Sequence, residues 1–227
     1  MAITINGSGT ITGISEGGLN DDSIAIADLS ATGTPSASTY LCGNNTWATP
    51  TGGTGRKVLE QFLCPCDGSV IATSNGDITI TDKDDVQNLT TSYADIVGSS
   101  IAYNPPTGTT QVIYEYQFNG MRDDDIDPLA HVKFFIDSDE VTDARTNFAG
   151  QHAQMNMIFK WAMNIGGSAV TATGRQASWS SAKTLKLQMR EYGSDNEMKL
   201  NETVYWDGGA SVDPQFHRPQ IGITAIG

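Results

Sequence analysis

The sequence predicts an all-β protein: an antiparallel jelly-roll or β-sandwich head, preceded by a Gly/Ser/Thr-rich extended N-terminal β segment. Three observations carry this. Runs with period-two alternation recur at short, regular intervals, as in Val112/Tyr114/Tyr116/Phe118 against Ile113/Glu115/Gln117. The stretches between them hold turn chemistry: Asn75-Gly76, Asn104-Pro105-Pro106-Thr107-Gly108, Gly166-Gly167 and Asp207-Gly208-Gly209. No apolar stripe at helical spacing is long enough for a major helix, and Asp143 to Gln154 is the best place for a short one.

Residues 1–55 stand apart. They contain no Lys or Arg, the first basic residue being Arg56. Ile3 to Ile14 places apolar residues at alternate positions between Gly turns, a strand–turn–strand signal. Gly17 to Leu29 has too few large side chains to close a core. The ordering cost of roughly 1–2 kcal/mol per residue exceeds what such burial returns. This segment is therefore expected to order only against copies of itself or a neighbouring protein, the other reading being a disordered linker. Tyr40-Leu41 forms a short strand candidate before an Asn-rich turn. Trp47 follows, suited to packing at a symmetry axis or against the next domain. Thr49 to Gly55 reads as a flexible joint.

Residues 56–227 read as one compact head. Strands are expected at Lys57–Leu63, Asp77–Thr81, Tyr93–Val97, Gln111–Phe118, Ala130–Ile136, Gln154–Ile165, Thr184–Tyr192, Glu202–Trp206 and Ile221–Ile226. Leu185/Leu187/Met189 alternate with Lys186/Gln188/Arg190, the mark of a strand with one buried face.

Charge narrows the function classes. With 26 Asp plus Glu against 13 Lys plus Arg, the net charge is −13. Phosphate backbones and anionic bilayers are repelled on average, so neither nucleic-acid binding nor membrane insertion is expected. No run approaches the roughly 18 apolar residues of a membrane span, and the N-terminus lacks the basic and apolar regions of a secretory signal. Cys42, Cys64 and Cys66 are odd in number and read as ordinary thiols of a chain assembled in a reducing cytoplasm.

Catalytic signals are weak. There is no GxSxG, P-loop or dinucleotide fingerprint, and His131, His152 and His217 lie far apart without ligand spacing. Paired carboxylates for glycan hydrolysis depend on three-dimensional spacing and stay open. Asp123, Asp124, Asp125 and Asp127 form an acidic loop after a strand, in which Ca²⁺ is chemically reasonable, a plain solvated loop being the simpler reading. No other cofactor is expected. Trp179, Tyr205 and Trp206 lie beside polar residues and could offer flat rings to a sugar, with core packing as the alternative.

Three pieces resemble one family. Gly9-Thr10-Ile11-Thr12-Gly13-Ile14 followed by Gly17-Gly18-Leu19 is similar to the N-terminal signature of tail-fibre and related appendage proteins of marine bacteriophages. Gly33-Thr34-Pro35-Ser36 through Asn45-Thr46-Trp47 resembles their motif before the distal head, with Cys42-Gly43-Asn44 where relatives carry an Arg-Gly-Asp-like turn. Leu89 to Ile96, Gln111 to Tyr116 and Arg218 to Gly227 look like strands of their heads.

The resemblance implies a non-enzymatic virion structural protein, a homotrimer assembled in the host cytoplasm. Residues 1–55 would anchor it to other virion proteins, with Ile11, Ile14, Leu19, Tyr40, Leu41 and Trp47 as anchor and trimer-packing side chains. Trp179, Tyr205 and Trp206 are then the candidates to face a host-surface glycan or protein. A capsid-bound fibre or decoration protein is the alternative, and a carbohydrate-binding or glycan-cleaving appendage the second.

Overall fold

The computed structural model describes residues 32–49, 55–122, 128–150, 154–204 and 214–227. The chain divides into two compact units, Met1–Gly55 and Arg56–Gly227.

In the first unit, β1 (Tyr40–Leu41) and β2 (Trp47–Ala48) form an antiparallel hairpin with Leu41 opposite Trp47. Asn45 sits at φ 61°, a left-handed conformation that Asn tolerates well, and its N–H donates to the Cys42 carbonyl at 2.9 Å. Thr32 adds an isolated parallel bridge to Thr46, its carbonyl accepting the Trp47 N–H at 2.7 Å. Tyr40 and Leu41 are exposed, 48% and 39% respectively, and Trp47 is half-buried. Ile11, Ile14 and Leu19 lie outside the described residues.

The second unit contains β3 (Val58–Pro65), β4 (Val70–Thr73), β5 (Gly76–Thr79), β6 (Gln87–Asn88), β7 (Ala94–Asp95) and β8 (Ile101–Tyr103). There follow β9 (Gln111–Arg122), β10 (Leu129–Ile136), β11 (Asp139–Glu140), β12 (Thr146–Ala149), β13 (Gln154–Asn164) and β14 (Lys183–Glu191). The last are β15 (Met198–Leu200), β16 (Glu202–Val204), β17 (Pro214–Phe216) and β18 (Gln220–Ile226).

Two antiparallel sheets result, so the expected all-β sandwich is what forms. In the first, β10 and β14 are central; β11 and β12 share the free edge of β10, and β7 and β8 share that of β14. In the second, β9 is central with β13 along one edge; β18 and then β15 lie end to end along the other, backed by β3 and β6. Successive long strands cross between sheets: β9 and β13 belong to the second, β10 and β14 to the first.

Alternation dictates the core. Val112, Tyr114, Tyr116 and Phe118 of β9 meet Val132, Phe134 and Ile136 of β10 and Leu185, Leu187 and Met189 of β14, all buried. Phe134 packs 5.1 Å from Tyr114 and 5.5 Å from Phe159, ring centroid to ring centroid, which ties the sheets face to face. The buried phenols are satisfied: Tyr114 donates to the Ser99 carbonyl at 2.6 Å and Tyr103 to Glu60 Oε2 at 2.7 Å. Gly120 lets β9 pass close to its neighbours, since a Cβ there would stand 2.4 Å from Met157 Cε.

The strand expected over Asp77–Thr81 forms as β5, in a hairpin with β4 that turns at Ser74-Asn75, with Gly76 at φ 116°. Two expectations need correction. The stretch from Asp143 holds a single 3-10 turn, Thr142–Ala144, and then β12, because the free edge of β10 pairs with Thr146–Ala149 and Phe148 reaches Phe118 at 5.8 Å. Of Tyr93–Val97, only Ala94–Asp95 pairs in a sheet.

Candidate functional site

The head has two chemically different poles. At one, β9 begins: Arg56 donates to Gln111 Oε1 at 2.8 Å, and the backbones of Lys57 and Gly227 exchange two hydrogen bonds at 2.9 Å. At the other, β9 ends about 35 Å away at the usual rise per residue. There Met121 pairs with Gln154, the Val204 N–H donates to Gln154 Oε1 at 2.8 Å, and the Gly150 N–H donates to the Pro128 carbonyl at 3.3 Å. The described chain therefore enters residues 123–127, 151–153 and 205–213 at this far pole. Asp123, Asp124, Asp125 and Asp127 belong to the first of these segments, Tyr205 and Trp206 to the third. All lie outside the described residues. Among the described residues, no three His, Cys, Asp or Glu side chains gather to hold a metal.

A groove lies between the far pole and the middle of β9, on the outer face of its sheet. It starts from one kink. Asn201, between β15 and β16, adopts φ 65°; its N–H donates to the Asn119 carbonyl at 2.7 Å and its own carbonyl accepts the His217 N–H at 2.8 Å. The left-handed residue turns the chain off the edge of β9, so that the β16–β17 hairpin crosses the outer face toward β13, where Val204 meets Gln154. The burial pattern records the crossing. Outward-facing Ile113, Glu115 and Gln117 are half-buried, whereas Asn119 and Met121, next along the same face, are buried.

The groove beside this hairpin is about 290 Å³ and is lined by Gln117, Asn119, Asn156, Ile158, His217 and Gln220, with Phe118 and Met157. Register explains the gathering: Ile158, Gln117 and Gln220 stand in one cross-strand row, and Asn156 opposite Asn119 in the next. Asn119 is 6% exposed and lines the groove floor beside Asn156. Ile158 is 59% exposed.

Electrostatics beside the groove fix one of these amides. Lys160 Nζ lies 2.7 Å from Glu115 Oε2, and this hydrogen-bonded ammonium holds the Glu115 carboxyl below its usual range. An ionised carboxylate only accepts, so Gln117 must turn its NH₂ to Glu115 Oε1, at 2.6 Å, which leaves the Gln117 carbonyl uncommitted. The charges of Glu115 and Lys160 offset each other, and the described lining is amide, imidazole and aliphatic. Such a surface offers hydrogen-bond donors and acceptors in pairs, with the His217 imidazole the one acid–base group among the described lining residues.

Trp179 is a correction to the expected receptor-facing set. It is 8% exposed and packed in the core, and its indole Nε1–H donates to the Tyr103 carbonyl at 3.1 Å. Only an edge of it reaches the surface, in a pocket of about 380 Å³ beside Pro105, Pro106 and Ile165, so the ring is chiefly a core residue. Conversely, Asn119, Asn156, Gln117 and Gln220 carried no sequence signal beyond being polar positions of amphipathic strands. The one hint was Asn119-Gly120, which ends the apolar alternation of β9.

No family model matches the chain, and no curated protein matches it in sequence. Among solved structures, it is similar to a chain from the structure of infectious bursal disease virus Gx strain, with 9% identity and a TM-score of 0.31. That alignment covers 79% of this chain and 43% of the viral one, so the protein spans less than half the length of that neighbour.

Proposed function

We propose that this chain is a non-enzymatic structural subunit of a bacteriophage particle, a homotrimeric tail-fibre or similar appendage whose head contributes to host-surface attachment. The observation that carries the reading is the polarity of the head. Residues 56–57, which continue from the N-terminal unit, sit at one pole, while Met121, Pro128, Gly150, Gln154 and Val204 gather at the opposite one, and the amide-lined groove lies between that pole and the middle of β9.

Residues 1–55 anchor the subunit to other virion proteins and bring three copies together. The exposed Tyr40 and Leu41 of the β1–β2 hairpin support this, since a hairpin of that size is marginal alone and gains by burying such side chains against a neighbour. Attachment is then multivalent. Three weak sites on one fibre raise effective affinity without a strong single contact. The groove supports a binding reading, because four of its described lining residues are amides, which neither titrate nor attack, and its one imidazole, His217, has no carboxylate or hydroxyl partner within the described lining.

The test is the solution mass of the full chain by light scattering, beside that of a chain lacking residues 1–55. A trimer that falls to monomer on truncation is the expected result. A monomer in both overturns the proposal.

A further inference from the structure

We infer that the groove between β9, β13 and the start of β18, beside His217, is a subsite for an uncharged saccharide, with Asn119 at its centre. The inference deepens the attachment reading and rests on it for its biological sense, while its chemistry stands on the groove alone. Four amides converge there: Gln117, Asn119, Asn156 and Gln220. A neighbouring pair of sugar hydroxyls donates and accepts at once, and so does an amide, which makes the two mutually complementary. The Gln117 carbonyl, left uncommitted by the Glu115 bond, supplies a fixed acceptor.

Asn119 is the most enclosed of the four: only 6% of it is exposed, yet it lines the groove, so the little of it that remains accessible opens there. The exposed Ile158 beside it offers an apolar edge to the C–H face of a pyranose ring, leaving the hydroxyl edge to the amides.

Charge selects against other ligands. Among the described residues no carboxylate or ammonium lines the groove, and the chain as a whole carries −13, so uronic, sialylated or phosphorylated sugars would bring an unpaired charge into a repulsive field. The volume, about 290 Å³, is at the lower end for small-molecule sites and suits a single ring with its neighbours extending along the open sheet.

The experiment uses the full chain and saturation-transfer NMR against chitotriose, mannotriose and maltotriose, with an oligogalacturonate and an uncharged peptide as comparators. One or more neutral sugars should bind and the oligogalacturonate should not. Asn119→Leu and Asn156→Ala should each weaken that binding by about tenfold, the effect of losing one or two ligand hydrogen bonds. The melting temperature of each variant should stay within a few degrees of the wild type's, so that lost binding reports the groove and not unfolding. Binding that neither substitution alters, or a preference for the charged sugar or the peptide, overturns the inference. A trimer that binds no sugar overturns it too, and leaves the appendage reading standing. A monomer that binds sugar through Asn119 does the reverse.

Discussion

Replacing Trp179 with alanine separates a core role from a receptor role at a single position. The ring is 8% exposed, in a core cluster with Tyr103 and Ile101 beneath the first sheet. A tryptophan buries about 150–250 Å². At about 25 cal/mol per Å² that burial is worth roughly 4–6 kcal/mol, an upper bound because unfolded chains already hide part of it. Residues 177, 178 and 180 on either side are exposed, so the segment can settle partly into the space left behind. A loss of about 3 kcal/mol is therefore expected for Trp179→Ala. For a chain of this size that lowers the melting temperature by roughly 6–12 °C. Trp179→Phe keeps most of the apolar area and removes only the N–H that donates to the Tyr103 carbonyl. Its cost should be about 1–2 kcal/mol. The assay is thermal unfolding of the full chain followed by circular dichroism. An unchanged melting temperature for Trp179→Ala would refute the reasoning and return the ring to the surface.

Two further outcomes follow from the electrostatics. Asp95, Glu115 and Glu140 are held below the usual carboxylate range chiefly by hydrogen bonds from Lys186, Lys160 and Arg145 respectively. Groups whose folded pKa is depressed stabilise the fold above their unfolded pKa, about 4, and lose that contribution as pH falls through the folded value. Melting temperature should thus decline below about pH 4.5, and D95N/E115Q/E140Q should flatten the decline; a wild-type curve already flat to pH 3 would contradict the argument. Burial pushes the Cys66 thiol up to about 12 and raises that of Cys64. At pH 8 a thiol reagent should modify only the half-exposed Cys42 in the native chain and all three after denaturation, and prompt native labelling of Cys66, counted by mass spectrometry, would show the core to be open there.

Much of the fold was legible along the chain because a strand with one buried face writes its orientation into every second residue. Val112/Tyr114/Tyr116/Phe118 and Leu185/Leu187/Met189 announced both the strands and the sides they bury, and all seven are core residues. The turn residues between them marked the all-β class. Edges were harder to read. Thr146–Ala149 has the makings of either a short helix or a strand, and only the unpaired side of β10 settled the choice. Trp179 stands in a Ser-rich stretch with no alternation, so nothing local distinguished a ring over the surface from one under it.

The candidate site was the least legible part. From the order of residues alone, Asn119 is one more polar position on an outward face, and outward means solvated unless another element covers it. The cover comes from residues more than eighty positions later, through a left-handed turn at Asn201 that carries β16 across the sheet. Period-two alternation fixed which residues point in and which point out, because that depends on the pleat of a single strand. Which strands lie side by side, and what crosses over them, depends on long-range pairing that no local pattern encodes. Tertiary structure therefore decided that four scattered amides share one groove and that a tryptophan nominated for the surface belongs to the core.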